Sequence, residues 1–449
     1  MRRIRLFAAL AALLIAAAPA PAWCWSNHGL LTYWAFKDAP EVAGAPDVVV
    51  EPLDAFLRDQ EQAVADLLAA QEVWARANAP TYPPRPDELA FKADASRDAA
   101  ARQRAFSEAL RIAADTRFAL FAQALPGVAP PVARPMRFGE VSTLREPAFS
   151  MMRFYRLEPG EKVVVLPGPP TSAREPDLRT QHNCWEDSPS EWGKRYKLGK
   201  LPFGNPALDF NTQAPFHMGF YHQSWLIYRA APFVARTYPM VRVHQFMGLS
   251  RLAFGANHAY WGWRFAAMAM HYVQDLTQPY HASLLPGVST LRMIAINSVD
   301  MLGWHGPKNA MIVLASNRHL ALERYEALLI YRDTAAGGGS PLIEAVQAKA
   351  RDGLYPAWSD FYLRDVVTQE SFDYGERLNA ALLTAFPAKY VADPAYDFGA
   401  SGGSGDLIAE VAGRKPEERA PIEDAIRELI GHFGAHSRNL VRAIGAGRE

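Results

Sequence analysis

Long apolar runs are missing from this chain beyond its first residues. No later segment reaches the roughly 18 uninterrupted apolar residues of a membrane-spanning helix, so none is expected. Cysteine is scarce: Cys24 and Cys184 are the only two, which leaves room for one internal disulfide. Net charge is absent, with 47 Lys+Arg against 47 Asp+Glu. No polybasic block or RNA-binding signature is present, which argues against tight, charge-driven binding to nucleic acid. Alternating strand patterns are almost absent and no internal repeat is visible, which points away from β-rich folds and repeat arrays.

What is present begins with a targeting signal. Arg2, Arg3 and Arg5 precede an apolar core from Leu6 to Ala18, and Ala20-Pro21-Ala22 forms an A-x-A cleavage site. Residues 1–22 therefore read as a signal peptide, with Trp23 as the mature N-terminus and an exported protein, periplasmic or secreted. Losing three arginines leaves the mature chain slightly acidic. In an oxidising compartment Cys24 and Cys184 are expected to pair.

Aromatic residues are plentiful, with 11 Trp and 23 Phe, and the length suits one large domain or two ordinary ones. Apolar residues recur at helical spacing over 51–78 and 99–124, then over 222–235, 243–276, 316–334, 341–351, 358–384 and 419–444. Residues 125–215 are punctuated by proline, and only Lys162 to Leu166 reads as a strand. The expected class is all-α: one domain over 23–449 with a loop-rich N-terminal elaboration.

The chemistry-bearing stretch is His271-YVQ-Asp275-LTQP-Tyr280-His281. His271 and Asp275 are four apart and so share a helix face, and Pro279 stops the helix just before His281. A buried imidazole and carboxylate suit either a hydrogen-bonded core pair or a bound cation. Downstream, Ser316-Asn317 reads as a helix cap, followed by His319 and Glu323, again four apart.

The H-x3-D-x5-H pattern with its Gln-Pro-x-His ending, followed by H-x3-E, resembles the superfamily of zinc-dependent phospholipases C and fungal single-strand-specific nucleases. That resemblance implies an all-α fold around three zinc ions. It further implies that Trp23 binds zinc through its α-amine and carbonyl, with His28 completing that site. It asks for an aspartate and then a histidine before the central helix. Asp187, with Glu186 as alternative, and His217, with His222 as alternative, are placed there; a Cys24–Cys184 bond would draw residue 187 toward Trp23.

The implied groups are Asp187, His217, His271 and Asp275 for one ion; His281, His319 and Glu323 for a second; and Trp23, His28 and a bridging Asp275 for a third. Asp187 could orient or deprotonate the attacking water instead of ligating tightly. Metal-bound water, its pKa lowered to about 7, would attack phosphorus in line. Residues 40–180 are an insertion that the resemblance leaves unexplained.

Within the superfamily the glutamate at position 323, the acidic mature chain and an apolar segment at 284–315 favour a phospholipase C acting on phospholipids, with peripheral contact to a lipid surface. The Trp23-to-His28 spacing favours a nuclease or 3'-nucleotidase acting on nucleotide phosphodiesters, without a stable nucleic-acid complex. A non-catalytic zinc-stabilised helical protein is the rival from another class. The 284–315 segment reads as core packing, or as a lid or lipid-facing wall. Glu428, His432 and His436, spaced four apart, read as surface or capping residues. The Gly399-Ala-Ser-Gly-Gly run reads as a loop, because the nucleophile-elbow pattern needs a strand–turn–helix in an α/β sheet.

Overall fold

The structure, a computed structural model, describes residues 27–445 except 43–44, 131, 147–150, 167–172, 206–207, 209–210 and 402–404. Helix accounts for 60% of it and strand for 3%, which places the chain in the all-α class. The signal segment, Trp23 and Cys24 lie outside the described residues.

The chain enters as α1 (His28–Phe36). The periodicity over 51–78 becomes two helices, α2 (Leu53–Asp59) and α3 (Glu61–Asn78). Helix α4 (Ala99–Leu110) is shorter than expected because Arg111 takes a left-handed conformation (φ 53°) and closes it. The strands are all short. β1 (Val48–Val49) pairs antiparallel with β5 (Lys162–Val163), while β2 (Phe121–Gln123), β3 (Pro135–Met136) and β4 (Phe154–Arg156) form a sheet ordered β2-β4-β3. Of these only the region of β5 was legible, since two or three residues carry no periodicity.

The expected helix over 243–276 is a hairpin of α5 (Pro239–Gly255) and α6 (Ala259–Asp275), turned through Asn257 at φ 63°. Every residue of α6 from Tyr260 to Asp275 is buried. A helix so apolar on all sides belongs in the centre of a large domain. Gly262 lets α5 come close, because a Cβ there would lie 2.6 Å from the Phe254 ring. After α6 come α7 (Thr290–Met301), α8 (Gly306–Ala335), α9 (Gly375–Ala385) and α10 (Pro416–Gly445). α8 starts ten residues before the expected cap. Asn317, mid-helix, instead bonds the turn at Tyr396 O (2.6 Å) and Phe398 N (2.8 Å).

One hydrophobic cluster runs from Leu30 to Ile444 and includes Val48, Phe56, Phe106 and Val163. Much of residues 40–180 therefore shares the core of the helical body, while Phe121, Phe138, Val141, Met152, Phe154 and Leu178 make a smaller cluster of their own. Phe56 and Phe106 pack on Phe265 of α6, with ring centroids 5.7 and 6.2 Å away. Truncating Phe265 to alanine would cost roughly 3–5 kcal/mol. Among the described residues no helix is long and apolar enough to cross a membrane.

Candidate metal centre

The C-terminal turn of α6 carries His271 and Asp275, and the rest of the chain delivers other ligand-type side chains to it. α1 brings His28. Its N-terminus is tied to α8 by Asn27 Nδ2 donating to Ala327 O (2.7 Å), and its far end by Trp34 Nε1 to Thr334 Oγ1 (2.9 Å). Arg438 of α10 donates to Ala35 O at 3.1 Å. His217 ends the four-residue helix Ala214–His217. Just beyond it, Gly219 N donates to His281 O (2.7 Å), which links that loop to the short helix Pro279–Ala282. His319 and Glu323 face this point from α8.

Three groups converge there: His28, His271 and Asp275; Asp177, His217 and His271; His281, His319 and Glu323. In each, one ligand atom per residue lies within 4.8 Å of the others. Asp275 is shared, with Oδ1 3.1 Å from His28 Nε2 and 4.0 Å from His281 Nδ1. Its Oδ2 is 2.7 Å from His217 Nδ1 and 3.2 Å from His271 Nε2. On α8, His319 Nε2 is 2.7 Å from Glu323 Oε1, and His281 Nε2 lies 2.8 Å from His319 Nε2.

The donor set fits cations. Buried atoms without a hydrogen-bond partner include His28 Nε2, His217 Nε2, His271 Nδ1, Asp275 Oδ1, His281 Nδ1, Glu323 Oε2 and both Asp177 oxygens. Orphaned polar atoms at such density are costly unless something charged joins them. Tetrahedral zinc ligands stand about 3.3 Å apart, close to the separations here. One ligand is also oriented from behind. His28 Nδ1 donates to Gln274 Oε1 (2.8 Å), while Gln274 Nε2 donates to Thr32 (2.9 Å) and Ser437 (3.1 Å). That bond leaves the Nε2 lone pair facing Asp275, as outer-shell partners of metal-binding histidines do.

Protonation follows the same geometry. Burial would raise the Asp275 pKa, but His271, His217 and His281 around it hold it well below the usual carboxylate range. Burial lowers His271 to about 4. His217 is raised: burial opposes this, and Asp275 outweighs it. Glu323 is lowered against its burial by His319 and His281.

Asp187 does not join the cluster. It is exposed and accepts a bond from Leu201 N (3.0 Å); Glu186 is exposed too. The carboxylate in the expected place is Asp177, with Oδ1 3.6 Å from His271 Nε2 and 4.0 Å from His217 Nδ1. Its irregular turn Pro176–Thr180 is anchored from both sides. Glu175 pairs with buried Arg264 of α6, Ala113 N donates to Thr180 O (2.8 Å), and Arg242 Nε donates to Gln181 Oε1 (3.0 Å). Asp177 is lowered against its burial by His271, Arg174 and His217.

His222, the alternative to His217, points elsewhere and donates to Arg364 O (2.7 Å). Cys184 is a buried thiol whose pKa burial pushes up to about 12, and its expected partner Cys24 lies outside the described residues. Glu326, one turn beyond Glu323, is a second carboxyl the sequence reading passed over. It is buried with neither oxygen partnered, and burial, reinforced by Glu323, raises its pKa well above normal.

Beside the cluster lies a cavity of about 470 Å3, whose lining includes His217 and His319. Phe203, Leu208, Phe220, Val234, Met293 and Ile294 make it predominantly apolar. The segment 284–315 is not core: α7 has no buried residue and lends the cavity Met293, Ile294 and Ile296.

His432 and His436 are buried rather than on the surface, and both face Glu370. The glycine-rich run begins in the short helix Phe398–Ser401, and Ser401 Oγ is 2.6 Å from Tyr396 OH. No family model, no curated protein and no solved structure matches the chain.

Proposed function

We propose that the chain is an exported zinc-dependent phosphodiester hydrolase that acts as a phospholipase C. The observation that carries this is three adjoining His/carboxylate groups, with His28, His217, His271 and His281 all within 4.0 Å of Asp275, beside an apolar cavity lined by His217 and His319. Imidazole and carboxylate donors without thiolates suit zinc. Asp177, His217, His271 and Asp275 would hold one ion; His281, His319 and Glu323 a second; and His28 with Asp275 a third, where the resemblance adds the Trp23 amine. Bound zinc would supply Lewis acidity toward a phosphoryl oxygen and lower the pKa of water to about 7.

The chain's own residues do the rest. Asp275 carries its negative charge into the centre of the cluster, where it can be shared between two groups. Asp177, with both oxygens free of hydrogen bonds, takes the water-orienting part expected of Asp187. The cavity supplies hydrocarbon contact for acyl chains and keeps water from the reacting phosphate. A nucleotide would gain little from that wall, so the cavity favours a lipid over a nucleic acid.

The test is hydrolysis of phosphatidylcholine, of single-stranded DNA and of a soluble chain-free phosphodiester, with and without chelator, alongside elemental analysis. Chelator-sensitive release of diacylglycerol is expected. Faster hydrolysis of DNA would move the assignment to the nuclease branch. Bound zinc without turnover of any phosphoester would leave a zinc-stabilised helical protein.

A further inference from the structure

Helix α7 carries apolar side chains toward the cavity and also large apolar side chains toward solvent, and none of its residues is buried. Its inner face, through Met293, Ile294 and Ile296, lines the cavity. Its outer face carries Leu291, Ala295, Ser298 and Met301, and all four are exposed. The turn into α8 adds Leu302 and Trp304. Leu291 and Trp304 are 74% exposed, and Met301 and Leu302 81%. Trp225, 71% exposed, sits at the start of the short helix Trp225–Ala230, whose Ser224 meets Thr290 of α7 at 3.4 Å. Single exposed apolar residues are ordinary, but a run of large ones along one helix and its turn marks a surface that something covers.

Charge indicates what covers it. The segments that build this side of the molecule, 218–238 and 276–322, contain Arg229, Arg236, Arg292, Lys308 and Arg318 against the single acid Asp300. Asp300 is itself taken up by Lys308 Nζ and His305 Nδ1, each at 2.7 Å. Arg236 and Arg318 turn inward onto Leu198 O and Val391 O, and Lys308 offsets Asp300, so the positive charge this face presents beside its apolar residues is that of the exposed Arg229 and Arg292. Exposed Trp, Leu and Met among cations, beside an apolar cavity, are the makings of an interfacial site on an anionic bilayer.

We propose that α7 and the turn into α8 form a docking surface for an anionic phospholipid membrane, with Leu291, Met301, Leu302 and Trp304 entering the headgroup layer. The purpose assigned to it rests on the phospholipase reading: α7 would then separate the bilayer from the cavity that receives the acyl chains. Binding itself requires no turnover.

The test is flotation of the protein with unilamellar vesicles of phosphatidylcholine alone or mixed with phosphatidylglycerol. Co-flotation with the anionic vesicles, weakened by salt, is expected. L302S/W304S should lower that partition by about tenfold or more. It should leave the melting temperature and hydrolysis of the soluble phosphodiester unchanged, because both side chains face solvent. Absence of flotation with either vesicle, or equal flotation of the variant, would overturn the proposal. So would a dimer that L302S/W304S converts to monomer, since the face would then cover a second copy. Flotation without hydrolysis of any phosphoester would sink the hydrolase reading and leave the docking surface standing, so the two fail separately.

Discussion

Two buried histidine–carboxylate clusters stand on long helices of this protein, built from the same spacing but finished differently. On α10, His432 and His436 are four apart, as His271 and Asp275 are on α6. Glu370 meets them both, its Oε2 3.2 Å from His432 Nδ1 and 3.0 Å from His436 Nε2. Tyr355 OH donates to Glu370 at 3.0 Å, and Tyr362 OH lies 2.8 Å from His436 Nδ1. Donors and acceptors alternate, and only His432 Nε2 is left over. Around Asp275 the imidazoles point at one carboxylate and at each other, with His271 Nε2 3.3 Å from His217 Nδ1. Many of their atoms have no partner. A spacing that gathers polar groups makes either a saturated polar core or an unsaturated site, and only the unsaturated one invites a cation.

Substituting the carboxylate at each centre gives the widest separation. Asp275→Asn removes a shared oxygen donor from the cluster, so metal content should fall and phosphodiester hydrolysis should drop by about 10³-fold or more. Glu370→Gln should leave metal content and turnover intact while costing roughly 1–3 kcal/mol of stability. Equal metal content in both variants, read by elemental analysis, would erase the distinction.

Metal removal probes the same contrast without mutation. A ligand present at a thousand times its Kd stabilises by about 4 kcal/mol, so chelation should lower the melting temperature and re-addition of zinc restore it. Glu370→Gln should start from a lower melting temperature yet respond to chelator as the parent does. A chelator response lost in Glu370→Gln would tie the second cluster to the metals.

A finer cut separates two aspartates. Asp177→Ala removes one of the four groups assigned to the first ion, so metal content and hydrolysis should both fall, hydrolysis by at least the ~100-fold that loss of even an outer-shell partner can cost. Asp187→Ala, on an exposed side chain, should behave as the parent. The reverse order would return the site to the position first expected from sequence.

The smallest expected effect is in pH. Burial lowers both His432 and His271 to about 4 from an ordinary 6.5. Both stay neutral in the folded chain while the unfolded chain takes up protons. Their contribution is therefore intact above pH 6.5 and lost as pH falls toward 4. In the chelated protein both act, so His432→Gln should flatten part of the fall in melting temperature over this range. A slope unchanged by that substitution would remove His432 from the account.

Parts of the candidate site are legible in the sequence alone. His271, Asp275, His319 and Glu323 stand out because four-residue spacing on a helix is a local property, and Pro279 marks the break before His281 for the same reason. Asp177 was not legible. It lies in an irregular turn of the proline-rich excursion, held by Arg264 and Arg242 from distant helices, and nothing beside it in sequence reports those contacts. Asp187 looked better because the resemblance asks for an aspartate before the central helix, and its place near Cys184 and the expected Cys24 bond supported that position. The exposed double-apolar character of α7 was ambiguous, since apolar composition does not say whether a neighbour covers it.

By itself, then, the sequence determined the helical class and which side chains share a helix face, because periodicity acts over one or two turns. Only the tertiary structure decided that Asp177 rather than Asp187 lies beside His271 and His217, that Glu370 engages both His432 and His436, and that α7 remains uncovered. Each of those depends on which distant groups are left to satisfy a buried polar atom or cover an apolar one, and packing settles that across the whole fold.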